Sequence, residues 1–96
     1  MVAYFIADQP EVTDHEVMKT YSGKVTETIE QYGGKFVCRG GDLEVIEGQW
    51  PVRKIIVLEF PDRAALKSWY DSPEYADLKA MRLSSSRSNV LALDGI

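Results

Sequence analysis

Apolar side chains run unbroken from Val2 to Ala7, rich in β-branched and aromatic residues, with Pro10 as a breaker beyond them. That pattern predicts a central first strand. The period then changes: Val17, Met18, Tyr21, Val25, Ile29 and Tyr32 recur at helical intervals. Thr13 and Glu16 match a capping box at the start of this helix, and Gly33-Gly34 closes it. Gly23 lies inside the helix and weakens it by about 1 kcal/mol.

Lys35 to Arg39 alternates, Gly40-Gly41 interrupts, and Leu43 to Ile46 resumes, which predicts one strand bent by a bulge or two short pieces. Glu47-Gly48-Gln49-Trp50-Pro51 reads as a hairpin loop leading into a long strand, Val52 to Phe60. Asp62 caps a short helix with an apolar stripe of Ala65, Leu66, Trp69 and Tyr70. Ser72-Pro73 then restarts helical structure after a kink, with Tyr75, Leu78 and Met81 on its buried side. Ser84 to Ser88 reads as connecting structure, and Val90 to Leu93 as the last strand.

The order strand, helix, strand, strand, helix, strand predicts a ferredoxin-like α+β fold, βαββαβ, with both helices on one face of a four-stranded antiparallel sheet. In the long strand Lys54, Ile56, Leu58 and Phe60 share one face, and Arg53, Ile55, Val57 and Glu59 share the other. Both faces are substantially apolar, so a second copy of the chain is expected to close the open one as a homodimer.

With 96 residues, 45% of them hydrophobic, the chain has material for one domain spanning residues 1–96 and no room for a second. The formal charge of −4 is spread among interspersed acids and bases. No basic stripe is present, which argues against a nucleic-acid partner. No apolar run approaches the roughly 20 residues of a membrane span. Met1 to Asp8 lacks a positively charged leader, so the expected location is the cytoplasm. Cys38 and His15 are each the only residue of their kind, which excludes an intrachain disulfide and a clustered Cys/His zinc site. No motif for nucleotide, flavin, haem or metal occurs, so no cofactor is expected.

Chemistry-bearing residues are few. If Ile46 pairs with Val52 across the hairpin, Arg39 falls opposite Glu59, either as a structural salt bridge or as a pair orienting a polar ligand. Trp69, Tyr70 and Tyr75 surround the kink, with Arg82 two turns beyond Tyr75 on a similar side. These side chains either line a small-molecule pocket or fill the core. His15 belongs to the first turn of a helix and is expected at the surface. Cys38, on the Phe36 side of its strand, is expected to act as a small buried hydrophobe.

Tyr32-Gly33-Gly34, Arg39-Gly40-Gly41, Glu47-Gly48-Gln49-Trp50-Pro51, Glu59-Phe60-Pro61 and Trp69-Tyr70-Asp71-Ser72-Pro73-Glu74-Tyr75 together resemble the DUF1330 family, a domain of unknown function. The last segment is the most specific, and the resemblance covers nearly the whole chain. It implies a dimeric α+β barrel in which two ferredoxin-like sheets pack together. The matching motif positions are Arg39, Trp50, Glu59, Trp69, Tyr70, Ser72, Tyr75 and Arg82, and no catalytic role comes with them. His15 departs from the pattern, since relatives often place proline there.

Two readings of function follow. In the first, each subunit binds or converts a small organic acid in a pocket between the sheet and the kinked helix, lined by Arg39, Trp69, Tyr70, Tyr75 and Arg82. Analogy of fold with cofactor-independent monooxygenases and lactone isomerases suggests oxidation or isomerisation. In the second, the protein is a non-catalytic structural or regulatory dimer whose polar residues satisfy one another.

Overall fold

A computed structural model describes residues 1–96. The elements are β1 (Ala3–Val12), α1 (His15–Gln31), β2 (Lys35–Arg39), β3 (Ile55–Phe60), α2 (Arg63–Tyr70), α3 (Pro73–Ser85) and β4 (Ser86–Asp94). The sheet order is β2-β3-β1-β4 with every neighbouring pair antiparallel, which is the βαββαβ arrangement expected from the sequence. Burial alternates along β1: Ala3, Phe5, Ala7 and Gln9 are buried, while Tyr4, Ile6 and Asp8 are only partly covered. The helices therefore cover one face and leave the other open.

Several boundaries differ from expectation for identifiable reasons. β1 continues through Pro10 because its register with β4 shifts between Asp8 and Glu11, where a missing N–H costs no ladder bond. The cap of α1 is Asp14 rather than Thr13: Asp14 Oδ1 accepts from the Val17 N–H at 3.1 Å. Thr13 instead follows the end of β1, and its N–H donates to the Ser85 carbonyl at 2.7 Å. The serine run is no loop, since α3 reaches Ser85 and β4 begins at Ser86. The Ser84 and Ser85 hydroxyls donate to the Met81 carbonyl and that of Ser86 donates to the Arg82 carbonyl, satisfying the last turn of the helix.

The largest correction concerns the expected hairpin. Residues 40–54 contain no strand, so Leu43 to Ile46 and Val52 to Lys54 stay outside the sheet. Gly40 (φ 69°) and Gly48 (φ 85°) turn the chain, and Ile46 and Trp50 stand 84% and 62% exposed with no core to bury them. With the loop longer than expected, the register moves. Arg39 pairs with Ile56, and Glu59 pairs with Lys35, whose Nζ lies 3.5 Å from its carboxylate. The Arg39–Glu59 pair does not form. A bulge between Phe36 and Cys38 also flips the alternation, placing Cys38 opposite Val57, where it is exposed rather than buried.

Two helix starts match the sequence reading. Asp62 accepts from the Ala65 N–H at 2.7 Å, and Ser72 from the Tyr75 N–H at 3.2 Å with Pro73 in the first turn. Trp69 of α2 sits at the middle of the core. Its ring lies 5.4 Å from those of Phe5 and Phe60 and 4.2 Å from that of Tyr75, and its indole N–H donates to Thr28 Oγ1 at 3.0 Å. No helix is long and apolar enough to cross a membrane.

The two glycines flanking this core respond oppositely to alanine. A Cβ on Gly34 would stand 2.6 Å from Phe60 Cε1 and 2.8 Å from Ile29 Cγ2, whereas one on Gly23 meets nothing within 4 Å. Gly34→Ala should lose about 1–3 kcal/mol by overpacking. Gly23→Ala should gain up to about 1 kcal/mol of helix stability. Urea unfolding of the two variants checks both signs.

Candidate functional site

Tyr75 and Arg82 lie seven residues apart on α3, so the helical repeat stacks them on one face. Both are buried, and Arg82 is only 6% exposed. Its Nε donates to Tyr75 Oη at 3.2 Å and its Nη1 donates to Ser88 Oγ of β4 at 2.6 Å. Tyr75 Oη in turn lies 2.8 Å from Tyr21 Oη of α1. Arg82 Nη2 is buried and has no partner, and the same holds for Gln9 Oε1 on β1.

Gln9, Tyr21, Arg82 and Ser88 border a cavity of about 50 Å³ between α1 and the sheet. Met18, Tyr21, Ser22, Val25 and Ile29 of α1 form its roof, and Ala7, Gln9, Phe36, Ile56, Leu58 and Ser88 form its floor. Arg39, Lys54 and Arg82 supply its charges, and no Asp or Glu lines it. None of the three cations forms an ion pair, since the pairs present are Lys35–Glu59, Arg63–Asp94, Lys79–Asp71 and Arg87–Glu11. A chain of net charge −4 thus gathers three positive side chains around one apolar hollow.

Arg39 stands at the exposed rim. Its guanidinium lies 4.2 Å from the Phe36 ring centroid, and Nη2 donates to the Ser22 carbonyl at 2.9 Å. Of the residues singled out in the sequence, Arg39 and Arg82 line the cavity and Tyr75 holds Arg82 from behind. Trp69 is a core residue, and Tyr70 borders a separate shallow groove between α2 and β4. Lys79 Nζ lies over the Tyr70 ring at 4.2 Å. The cavity therefore sits under α1 rather than under the kink between α2 and α3. His15 is exposed at the start of α1 and does not line the cavity.

Gln9, Tyr21, Lys54 and Ser88 are the members that the sequence reading passed over. Gln9 carried a signal: it continues the inward series Ala3, Phe5, Ala7 once the strand is allowed past Pro10. Tyr21 was legible only as part of the apolar stripe of α1. Asp8 also has a buried oxygen without a partner, but it lies on the opposite face, between Ile55 and Asn89.

Burial tends to lower the Arg82 guanidinium, yet the adjoining phenols of Tyr75 and Tyr21 outweigh it and hold it above its ordinary value. Its charge is permanent. Burial pushes the Tyr21 phenol far above the usual range, with Tyr75 adding to the rise and Arg82 opposing it. Tyr21 is thus a neutral hydrogen-bonding group at any physiological pH.

The family model described as a domain of unknown function, DUF1330, matches residues 2–96. A protein of unknown function from Rhodopseudomonas palustris is 18% identical in sequence, with a TM-score of 0.77 over 99% of this chain and 82% of that one. A dimeric ferredoxin-like protein of unknown function from Jannaschia sp. CCS1 is 14% identical, with a TM-score of 0.78 over 99% of this chain and all (100%) of that one. SnoaB, a cofactor-independent oxygenase from Streptomyces nogalater, is 12% identical, with a TM-score of 0.61 over 99% and 93% of the two chains. At these identities the likeness is one of fold. Among curated proteins none matches the chain significantly.

The raised Tyr21 phenol has a consequence for stability. Below about pH 10 both folded and unfolded chains keep this proton. Above it the unfolded chain loses the proton first, so the folded state binds more protons and stability falls as pH rises. The urea midpoint of the wild type should begin to drop near pH 10 and keep falling as pH rises beyond it. Tyr21→Phe should show a shallower fall, and parallel profiles for the two proteins would contradict the assignment.

Proposed function

This chain belongs to the DUF1330 family, and from that premise we propose that it is a homodimeric, single-domain protein of the cytoplasm whose cavity binds a small organic acid. The observation that carries the reading is the buried guanidinium of Arg82, which has an unpartnered Nη2 and only neutral hydroxyls around it. A buried charge without a counter-charge is costly, and a carboxylate supplies the missing partner through a charge-assisted hydrogen bond. Arg39 and Lys54 at the rim draw anions inward.

Size restricts the ligand. The hollow of about 50 Å³ opens partly to solvent past Arg39 and Lys54, and it is well under the roughly 150 Å³ of a closed cavity that holds a benzene ring. Acids of about two to four carbons, with about six heavy atoms at most, are the upper bound, and the largest of them reach into the open mouth. Trp69 and Tyr70 serve this reading indirectly, by packing Tyr75 into place.

Conversion of the acid is the finer question. The cavity contains no carboxylate, histidine or cysteine to act as base or nucleophile, which favours binding without catalysis. The Streptomyces nogalater neighbour is a cofactor-independent oxygenase, and at that distance it lends its architecture, not its reaction. Proton NMR of an acid incubated with the protein separates the two: an unchanged spectrum supports a binding or regulatory dimer, and disappearance of the acid supports an enzyme.

The second subunit is expected on the open sheet face. Leu91 and Leu93 of β4 are 55% and 53% exposed there, beside Tyr4, Ile6, Ile55 and Val57. An apolar face of this extent favours association. The Jannaschia neighbour is itself dimeric. Sedimentation should give a dimer, and Ile6→Asp or Leu91→Asp should give a monomer. A wild-type monomer at every concentration would overturn the dimer.

Calorimetric titration with propionate and butyrate tests the ligand. Wild type should bind, and Arg82→Met should lose at least about tenfold in affinity. Arg39→Ala should lose only a few-fold, with a weaker salt dependence. Absence of binding to wild type would overturn the proposal.

A further inference from the structure

The hydrogen-bond chain behind the cavity has only one permitted direction. Arg82 can donate and cannot accept. Tyr75 Oη accepts from Arg82 Nε and is completely buried, with Tyr21 Oη as its one other partner. The Tyr75 proton must therefore go to Tyr21, and Tyr21 is left with its own proton free. Ser88 Oγ accepts from Arg82 Nη1 in the same way and keeps its proton free.

Tyr21, Ser88 and Arg82 all border the cavity. The result is a cluster of three donors, namely Arg82 Nη2, the Tyr21 hydroxyl and the Ser88 hydroxyl. Against them stands one buried acceptor, Gln9 Oε1, which has no donor of its own. A plain carboxylate satisfies the three donors and leaves Gln9 unpaired. A ligand that also carries a hydroxyl satisfies both, because the hydroxyl donates to Gln9 Oε1, which an ether oxygen cannot do.

Resting on the acid-binding reading above, we infer that the ligand is a small hydroxy acid, with its carboxylate on Arg82, Tyr21 and Ser88 and its hydroxyl on Gln9. Gln9 is then the residue that sets specificity, because a site built around a buried hydrogen bond rejects the analogue lacking it. Lactate and propionate differ by that hydroxyl alone.

The experiment is calorimetric titration of the wild-type protein with each lactate enantiomer, propionate and 2-methoxypropionate. The expected result is at least about tenfold tighter binding of one lactate enantiomer than of propionate, with the methoxy acid no better than propionate. Gln9→Leu should bring lactate down to propionate. Tyr21→Phe should weaken both acids alike and keep their ratio. Equal affinities for lactate and propionate in the wild type would overturn the hydroxy-acid inference and leave acid binding standing. Failure of every acid to bind would overturn both. Because the wild-type comparison decides on its own, a Gln9 variant that does not fold cannot rescue the inference.

Discussion

Trp69 joins every layer of the fold. Its ring meets Phe5 of β1 edge-on, Phe60 of β3 at a tilt, and Tyr75 of α3 at 4.2 Å. Its N–H reaches Thr28 on α1, and the Thr28 hydroxyl donates onward to the Val25 carbonyl at 2.8 Å. An indole buried in this way contributes a large apolar area and still satisfies its one polar atom. The hydroxyl cluster around Arg82 depends on it at one remove. With the Tyr75 ring packed against Trp69, its hydroxyl is held where Arg82 and Tyr21 converge.

At the cavity the rules of the core are broken by two side chains, Arg82 and Gln9. The core cluster itself is apolar, and the buried hydroxyls of Thr28, Ser72, Ser85 and Ser86 all find backbone partners. Around Arg82 the protein buries a cation among phenols and hydroxyls, an arrangement that replaces solvation with fixed dipoles but supplies no opposite charge. Local inconsistency of this sort marks functional positions more often than structural ones. It also sets the two arginines of the cavity apart: Arg82 is enclosed, and Arg39 is exposed and stacked on Phe36.

Strand and helix order was legible from hydrophobic period, and the caps at Asp62 and Ser72 were legible from local chemistry. The failures cluster where a residue's fate depends on something distant. Leu43, Val45 and Ile46 alternate like a strand, but alternation cannot say whether a partner strand exists. The bulge at Val37 reverses Cys38 without any glycine or proline to announce it. Arg82 and Tyr75 were visible as a pair by their seven-residue spacing. Gln9 and Ser88 were not, because one lay beyond an apparent breaker and the other in a run of serines with no period.

The two edges of the sheet are unequal. β2 is five residues long and bulged, and a short, twisted edge accepts another strand poorly. β4 spans nine residues and carries Val90, Leu91 and Leu93 at exposed positions along its length. Any β-strand recruited from outside, whether from a neighbouring molecule during refolding at high concentration or from a fused peptide, has one side on which to join. Misassembly of this protein is therefore a directional process that begins at its last strand, and a lysine or proline placed there would guard the whole sheet.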